Sequence, residues 1–208
     1  MIFLRNETFR GYVRAYPVTA LILAVNVVVF LLDHLALDRE LSIRGMFYLE
    51  PYFNRDGLAE PWRYVTSIGL HDGWEHLLFN SFSILVFAPP LERMLGHTRY
   101  FVYYVLSGIA GNVMSVIIYV GTEHYSLGAS GAIYGLFGAY LYLAVFRRFA
   151  LDEATRKTIY ITLGFGLIYS FLVPNVNIWA HIGGALAGLA LMAMYVAGKT
   201  NAGRRGRG

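Results

Sequence analysis

The chain has 208 residues, of which 57% are hydrophobic, 16% aromatic and only 14% charged. A soluble domain carries about 25% charged residues, so this composition disfavours a water-facing body, a disordered chain and a soluble nucleic-acid binder. With no cysteine, a disulfide scaffold, thiol catalysis and Cys-ligated zinc are excluded, and the meaning of the formal net charge of +4 depends on where the charges lie.

Charge-free runs mark the expected spans in chain order. Ala15–Leu32 is long enough to cross a bilayer. The arginines before it would also suit a signal peptide, but Asp33-His34-Leu35 does not resemble a small-residue cleavage site, so a retained span is expected. A long first loop, about 38–75, follows. It is rich in aromatics (Phe47, Tyr48, Tyr52, Phe53, Trp62, Tyr64) and is read as an interfacial scaffold. His76–Leu91, extended by Met94 and Leu95, is the second span; Tyr100–Thr122 and His124–Phe146 are the third and fourth. Thr158–Gly198 is about twice the length that one crossing needs, so it folds back at Pro174-Asn175-Val176-Asn177 into spans five and six. The expected fold is an all-α membrane protein of six transmembrane helices. It divides into a cytoplasmic segment at 1–14, a membrane domain at 15–197 and a basic cytoplasmic tail at 198–208.

All but four of the 17 basic residues lie before span one, between spans two and three, between four and five, or after span six. The exceptions, Arg39, Arg44, Arg55 and Arg63, share the first loop with acidic residues. Basic residues stay on the cytoplasmic side, so both termini are expected in the cytoplasm of a cell-membrane protein. The tail is a topological signal with some affinity for anionic lipid; it lacks the interleaved aromatics and folded module of a nucleic-acid binder.

In this orientation spans two, four and six enter from the outside, and their first turns share one depth. That layer holds His76 and Asn80, Ser130, and His181. Polar side chains inside spans are costly and are functional candidates. Gly128-Ala129-Ser130-Gly131 alone could be small-residue helix packing, and a lone His181 could be a packed histidine. However, Gly184, Ala185 and Gly188 lie on the His181 face of span six, and Gly131, Gly135 and Gly138 offer a matching face on span four. Close packing of these faces brings the His181 imidazole to the Ser130 hydroxyl, a nucleophile with its base. Tyr134, one turn below Ser130, is positioned to stack on the imidazole. His76 and Asn80, spaced i, i+4, share a helical face. They are either interhelical hydrogen-bonding residues or, with the Ser130 amide, oxyanion donors. No carboxylate lies in spans four or six, and the outer acids Asp33, Asp72 and Glu75 are on other segments, so a Ser–His dyad is expected in place of a triad. His71 and His76 are i, i+5 and diverge on a helix, which argues against zinc; no metal and no cofactor are expected. A transporter would need a polar path across the bilayer, but Leu141–Phe146 and Leu189–Val196 are apolar apart from Tyr142 and Tyr195.

These residues resemble the rhomboid family of intramembrane serine proteases. The resemblance spans roughly residues 15–197 and rests on Trp62-Arg63, His71, His76-Leu77-Leu78-Phe79-Asn80, Leu91-Glu92-Arg93, Gly128–Gly131 with Tyr134, and Ala180-His181-Ile182-Gly183-Gly184. It implies a rhomboid-like helical bundle with a site open to water from outside. It also implies Ser130 as nucleophile, His181 as base, and His76, Asn80 and the Ser130 amide around the oxyanion. Transmembrane protein substrates held in the lipid bilayer are implied, with a gate over the site near residues 171–177. The alternative is an inactive rhomboid-like protein that binds membrane clients without cutting them. Ala88-Pro89-Pro90 departs from the family pattern and predicts a kink at the inner end of span two. No attached soluble domain and no seventh span are expected. Substrate identity and oligomeric state are not encoded in these motifs.

Overall fold

A computed structural model describes residues 2–4, 6–174 and 176–205, with side chains through Thr200. Arg5 and Arg207 of the charge map, and Asn175 of the expected break, lie outside the described residues. Nine helices and one small sheet are found among the described residues. Helix α1 (Phe9–Ala15) meets α2 (Pro17–Leu35) at Tyr16. Pro17 suits the first turn of α2 because its missing N–H would have no helical partner there. The next donors are captured by the buried Glu92 carboxylate, at 3.0 Å from Val18 N, 2.8 Å from Thr19 N and 2.5 Å from Thr19 Oγ1.

The first loop folds tightly, as α3 (Glu40–Gly45), strand β1 (Phe47–Leu49), α4 (Arg63–Thr66) and a 3-10 turn at Ser67–Gly69. Arg63 binds it together, with Nε 2.8 Å from Glu60 and Nη1 2.9 Å from the carbonyls of both Ile43 and Met46. Tyr52 and Phe53 project at the tip, almost fully exposed.

Helix α5 (Trp74–Leu95) runs through Pro89 and Pro90 without interruption, where the sequence predicts a kink. Proline 89 leaves the Leu85 carbonyl without its helical donor, and Tyr12 Oη donates to that oxygen at 3.2 Å. Helix α6 (His97–Tyr119) follows. The fourth charge-free run is only partly helical. His124–Ser126 forms β2, antiparallel to β1 with Phe47 opposite Ser126 and Leu49 opposite His124. Gly121 and Gly128, both at positive φ, bracket the strand and turn the chain out of and back into helix. Helix α7 therefore begins at Ser130 and runs to Phe146. Helices α8 (Glu153–Leu172) and α9 (Ile178–Arg205) complete the chain, with Asp152 capping α8 through Thr155 N at 2.9 Å.

Helices α2, α6 and α9 are each long and apolar enough to cross a membrane, and α7 is a shorter apolar helix. Helices α5 and α8 match them in length but carry charges near their ends. Exposed apolar side chains such as Val28, Phe79, Phe82, Phe101, Ile117, Phe165 and Ile168 cover the outer helices; such a surface suits hydrocarbon and is foreign to a soluble monomer. The interior is built around α7, which is buried continuously from Gly131 to Tyr140.

That burial depends on missing side chains. A Cβ on Gly184 would stand 2.0 Å from the Gly131 carbonyl oxygen; one on Gly188 would meet the Gly135 oxygen at 2.0 Å, and one on Gly138 the Ala185 oxygen at 2.1 Å. Backbones of α7 and α9 thus touch along the two faces singled out in the sequence. Tyr103 Oη fastens the seam from α6, 2.8 Å from the Gly135 carbonyl and 2.7 Å from that of Gly188.

Candidate active site

The close α7–α9 seam sets the distance between their first turns. His181 Nε2 lies 2.8 Å from Ser130 Oγ, and the Tyr134 ring stacks on the imidazole with centroids 4.1 Å apart and planes 7° from parallel. His181 is buried and Ser130 half-buried. The first helical bond of α7 runs from Ile133 N to the Ala129 carbonyl at 3.0 Å, so the Ser130 N–H precedes the helical ladder, at the positive end of the helix.

Helix α5 supplies the second wall. A Cβ on Gly128 would meet His76 Cε1 and Nε2 at 2.6 Å and Asn80 Nδ2 at 3.7 Å, so both side chains lean over the Gly128 backbone beside Ser130. With φ at +128°, Gly128 also holds a conformation that residues with a side chain rarely adopt. Its N–H donates to the Ser67 carbonyl at 2.9 Å, which ties the loop before Ser130 to the folded first loop. Asn80 is buried, and its Nδ2 has no hydrogen-bond partner among the described residues. A buried, unpaired donor is costly. The sequence-derived set Ser130, His181, His76, Asn80, Tyr134, Gly128, Gly131 and Gly184 is thus gathered at one end of α5, α7 and α9.

His71 packs edge to face on His76, with ring centroids 5.1 Å apart. Burial pushes its imidazole down to about 3, with His76 adding to the shift and the Gly69 backbone opposing it. Among the described residues, no group of three or more His, Cys, Asp or Glu gathers as a metal site. Two of the outer acids, Asp33 and Asp72, are engaged elsewhere. Asp33 accepts from Ser42 N at 3.1 Å and Oγ at 2.5 Å, and Asp72 pairs with Arg39 at 2.8 Å.

Two contacts were not anticipated from the sequence. Ser170 on α8 is buried, and its Oγ lies 2.7 Å from His181 Nδ1, 3.0 Å from Tyr134 Oη and 2.6 Å from the Gly166 carbonyl. Its sequence signal is a lone serine near the end of span five, a span that runs opposite to spans two, four and six and so adds no first turn to their shared layer. Asn177 closes the α8–α9 connection. Its Oδ1 accepts from Ala180 N at 3.1 Å, and its Nδ2 donates to Ser115 Oγ at 2.8 Å and to His124 Nε2 at 3.1 Å. Burial holds the His124 imidazole below its ordinary value, consistent with an acceptor nitrogen.

A predominantly helical, multi-pass membrane protein with a polar cluster at one end of its bundle is the class these features define. The chain belongs to the rhomboid family: the Rhomboid domain model matches residues 58–198. It is 39% identical over 195 residues to "Putative rhomboid protease YdcA" of Bacillus subtilis, covering 94% of this chain and 96% of that protein. It is 36% identical over 130 residues to rhomboid protease GluP of the same organism, 62% of this chain but only 25% of GluP. It is 35% identical over 142 residues to RHOMBOID-like protein 6, mitochondrial, of Arabidopsis thaliana, 64% of this chain and 43% of that protein.

Proposed function

We propose that this protein is an intramembrane serine endopeptidase that cuts transmembrane segments of membrane-anchored proteins with a Ser130–His181 dyad. The observation that carries the reading is the 2.8 Å contact between His181 Nε2 and Ser130 Oγ beneath a stacked tyrosine. Helices α2, α5, α6, α7, α8 and α9 are the six spans of a membrane domain at 15–197, with the 1–14 segment and the 198–208 tail cytoplasmic and the site facing the outer side of the cell membrane.

In the reaction, the Ser130 hydroxyl gives its proton to His181 Nε2 while Oγ attacks the scissile carbonyl carbon. The carbonyl oxygen becomes an oxyanion, held by the Ser130 N–H, Asn80 Nδ2 and His76; each such donor is worth about 10²–10³ in rate. His181 returns the proton to the departing amine. A water molecule, deprotonated by the same imidazole, then attacks the acyl carbon; the bond to Ser130 Oγ breaks, and His181 returns the proton to that oxygen. Substrate helix must unwind locally so that its carbonyl can reach Ser130, which favours small, helix-destabilising residues at the cut.

The test uses the full chain in liposomes with a fluorophosphonate probe and a single-span substrate. Labelling and cleavage by the unaltered protein, both absent in Ser130→Ala and His181→Ala, are expected. Equal labelling of Ser130→Ala and the unaltered protein would refute the assignment. Substrate capture without labelling or cleavage would instead mark an inactive client-binding rhomboid.

A further inference from the structure

Catalysis by the dyad requires one particular tautomer of His181: Nδ1 protonated, Nε2 carrying the lone pair that faces Ser130. Something must hold that tautomer, and among the described residues no carboxylate does so. We propose that Ser170 on α8 is the positioning residue that locks His181 in its base-competent tautomer, taking the place a triad aspartate would occupy. The inference rests on the dyad reading above.

The assignment follows from counting donors. A serine hydroxyl has one proton to give and two lone pairs to offer. Ser170 Oγ has three partners, at 2.6 Å from the Gly166 carbonyl, 2.7 Å from His181 Nδ1 and 3.0 Å from Tyr134 Oη. The Gly166 carbonyl can only accept, so it takes the single proton, a bond back to the preceding helical turn that serine commonly makes. Oγ must then accept from the other two. Nδ1 is therefore protonated and Nε2 is left to accept from Ser130 Oγ. The opposite tautomer would direct the Ser170 proton to Nδ1. It would set two oxygen lone pairs against each other at 2.6 Å, and it would point an N–H at Ser130, which could no longer lose its proton to the imidazole.

Tyr134 completes the arrangement. Its ring stacks on His181 and its hydroxyl reaches Ser170, so one tyrosine braces both the imidazole and the group that sets its tautomer. A Cβ on Gly166 would stand 2.6 Å from Tyr134 Oη, so a side chain there would displace the tyrosine. Ser130 and Tyr134 are on α7 and His181 is on α9, whereas Ser170 comes from α8. Seating of α8 against its neighbours thereby becomes a condition for a competent base.

The test compares Ser170→Thr with Ser170→Val, which share shape and differ in the hydroxyl, so packing costs cancel. Both are measured as the full chain in liposomes. Hydrogen bonds to a group that becomes charged are worth enough for a fall of about 10- to 100-fold in kcat for Ser170→Val relative to Ser170→Thr, with KM unchanged. Nitrogen-15 spectra of histidine-labelled protein, with His181 assigned by difference from His181→Gln, should show a protonated Nδ1 in the unaltered protein and in Ser170→Thr. Ser170→Val should show a mixture of tautomers. Equal kcat in the two variants, or an Nε2-protonated His181 in the unaltered protein, would overturn the proposal. Because the spectra do not depend on turnover, they separate this failure from failure of the protease reading, which the Ser130→Ala control decides independently.

Discussion

Gly184→Ala tests whether the α7–α9 seam sets the dyad distance. Its added Cβ would stand 2.0 Å from the Gly131 carbonyl oxygen and 2.9 Å from the Gly131 carbonyl carbon, whereas real Cβ contacts below 3.0 Å essentially never occur. The obstruction is backbone, so no rotamer relieves it, and the helices must part by about 1 Å. Gly131 is next to Ser130, and Gly184 is one turn from His181. An opening of that size carries the Ser130–His181 contact from 2.8 Å to beyond the ordinary hydrogen-bond range of about 3.2 Å. Overpacking of this kind costs about 1–3 kcal/mol, and a 1 Å displacement at the reacting atoms about 10² in rate. Fluorophosphonate labelling and single-span cleavage in liposomes measure the rate, and thermal unfolding in the same liposomes measures the strain. Gly164→Ala is the control, since a Cβ there meets nothing within 4 Å among the described residues and the change should raise stability by about 0.5–1 kcal/mol. If folded Gly184→Ala cleaves within about twofold of the unaltered protein, against the 10² expected of a displaced base, the seam does not set the dyad distance.

Gly128→Ala should slow cleavage more than it lowers the unfolding temperature, because its Cβ would strike the His76 ring at 2.6 Å while the main bundle seam is untouched; near-normal kcat would separate His76 from the oxyanion. Glu92→Ala leaves Val18 N, Thr19 N and Thr19 Oγ1 without their buried acceptor and should cost at least about 1–3 kcal/mol, read as a lower midpoint in thermal unfolding with the labelling rate of the surviving fold unchanged. His71 makes stability depend on pH. Its folded imidazole sits at about 3 against an ordinary 6.5, so between these values the unfolded chain binds the extra proton. The stabilisation is complete above the unfolded value and lost as pH falls toward the folded one, with about 2–3 kcal/mol gone near pH 4.5. Thermal unfolding of the unaltered protein and His71→Gln across this range should show a steeper acid loss in the former, and parallel curves would contradict it.

Much of the bundle was legible because charge and hydropathy in a membrane protein report on solvent directly. Gaps between charges mark where helices run, and the few basic residues imply which ends share a side. The Ser130–His181 meeting was legible for a different reason. Gly131, Gly135 and Gly138 on one helix, and Gly184, Ala185 and Gly188 on the other, leave no bulk between two backbones, and little freedom remains in how such faces pack. The β1–β2 pair was not legible, since two three-residue strands separated by α4, α5 and α6 leave no periodicity to read. It also moved the start of α7 from His124 to Ser130. The proline pair stands inside an unbroken α5 for a local reason: the carbonyl freed by Pro89 found Tyr12 Oη from a distant segment, a compensation invisible to propensity. Ser170 required knowing how α8 returns against α9, which the break at residues 174–177 does not reveal.

Every side chain in the proposed reaction layer can rest without net charge. Ser130, His181, Tyr134, Asn80, His76 and Ser170 exchange hydrogen bonds or await one, while the carboxylates sit at helix ends, Glu92 on the α2 N-terminus and Asp33 with Ser42 and Arg39. An aspartate at position 170 would bind the imidazolium more strongly, but a lone buried carboxylate costs several kcal/mol before any base is charged. A neutral acceptor avoids that cost in the resting state and still stabilises the positive imidazolium when it forms opposite the oxyanion. The two opposite charges of the transition state then appear together, a few ångströms apart, where the surrounding low dielectric strengthens their attraction. In the proposed site the third partner need only choose the tautomer, and a hydroxyl whose proton is directed to Gly166 has the geometry to do so.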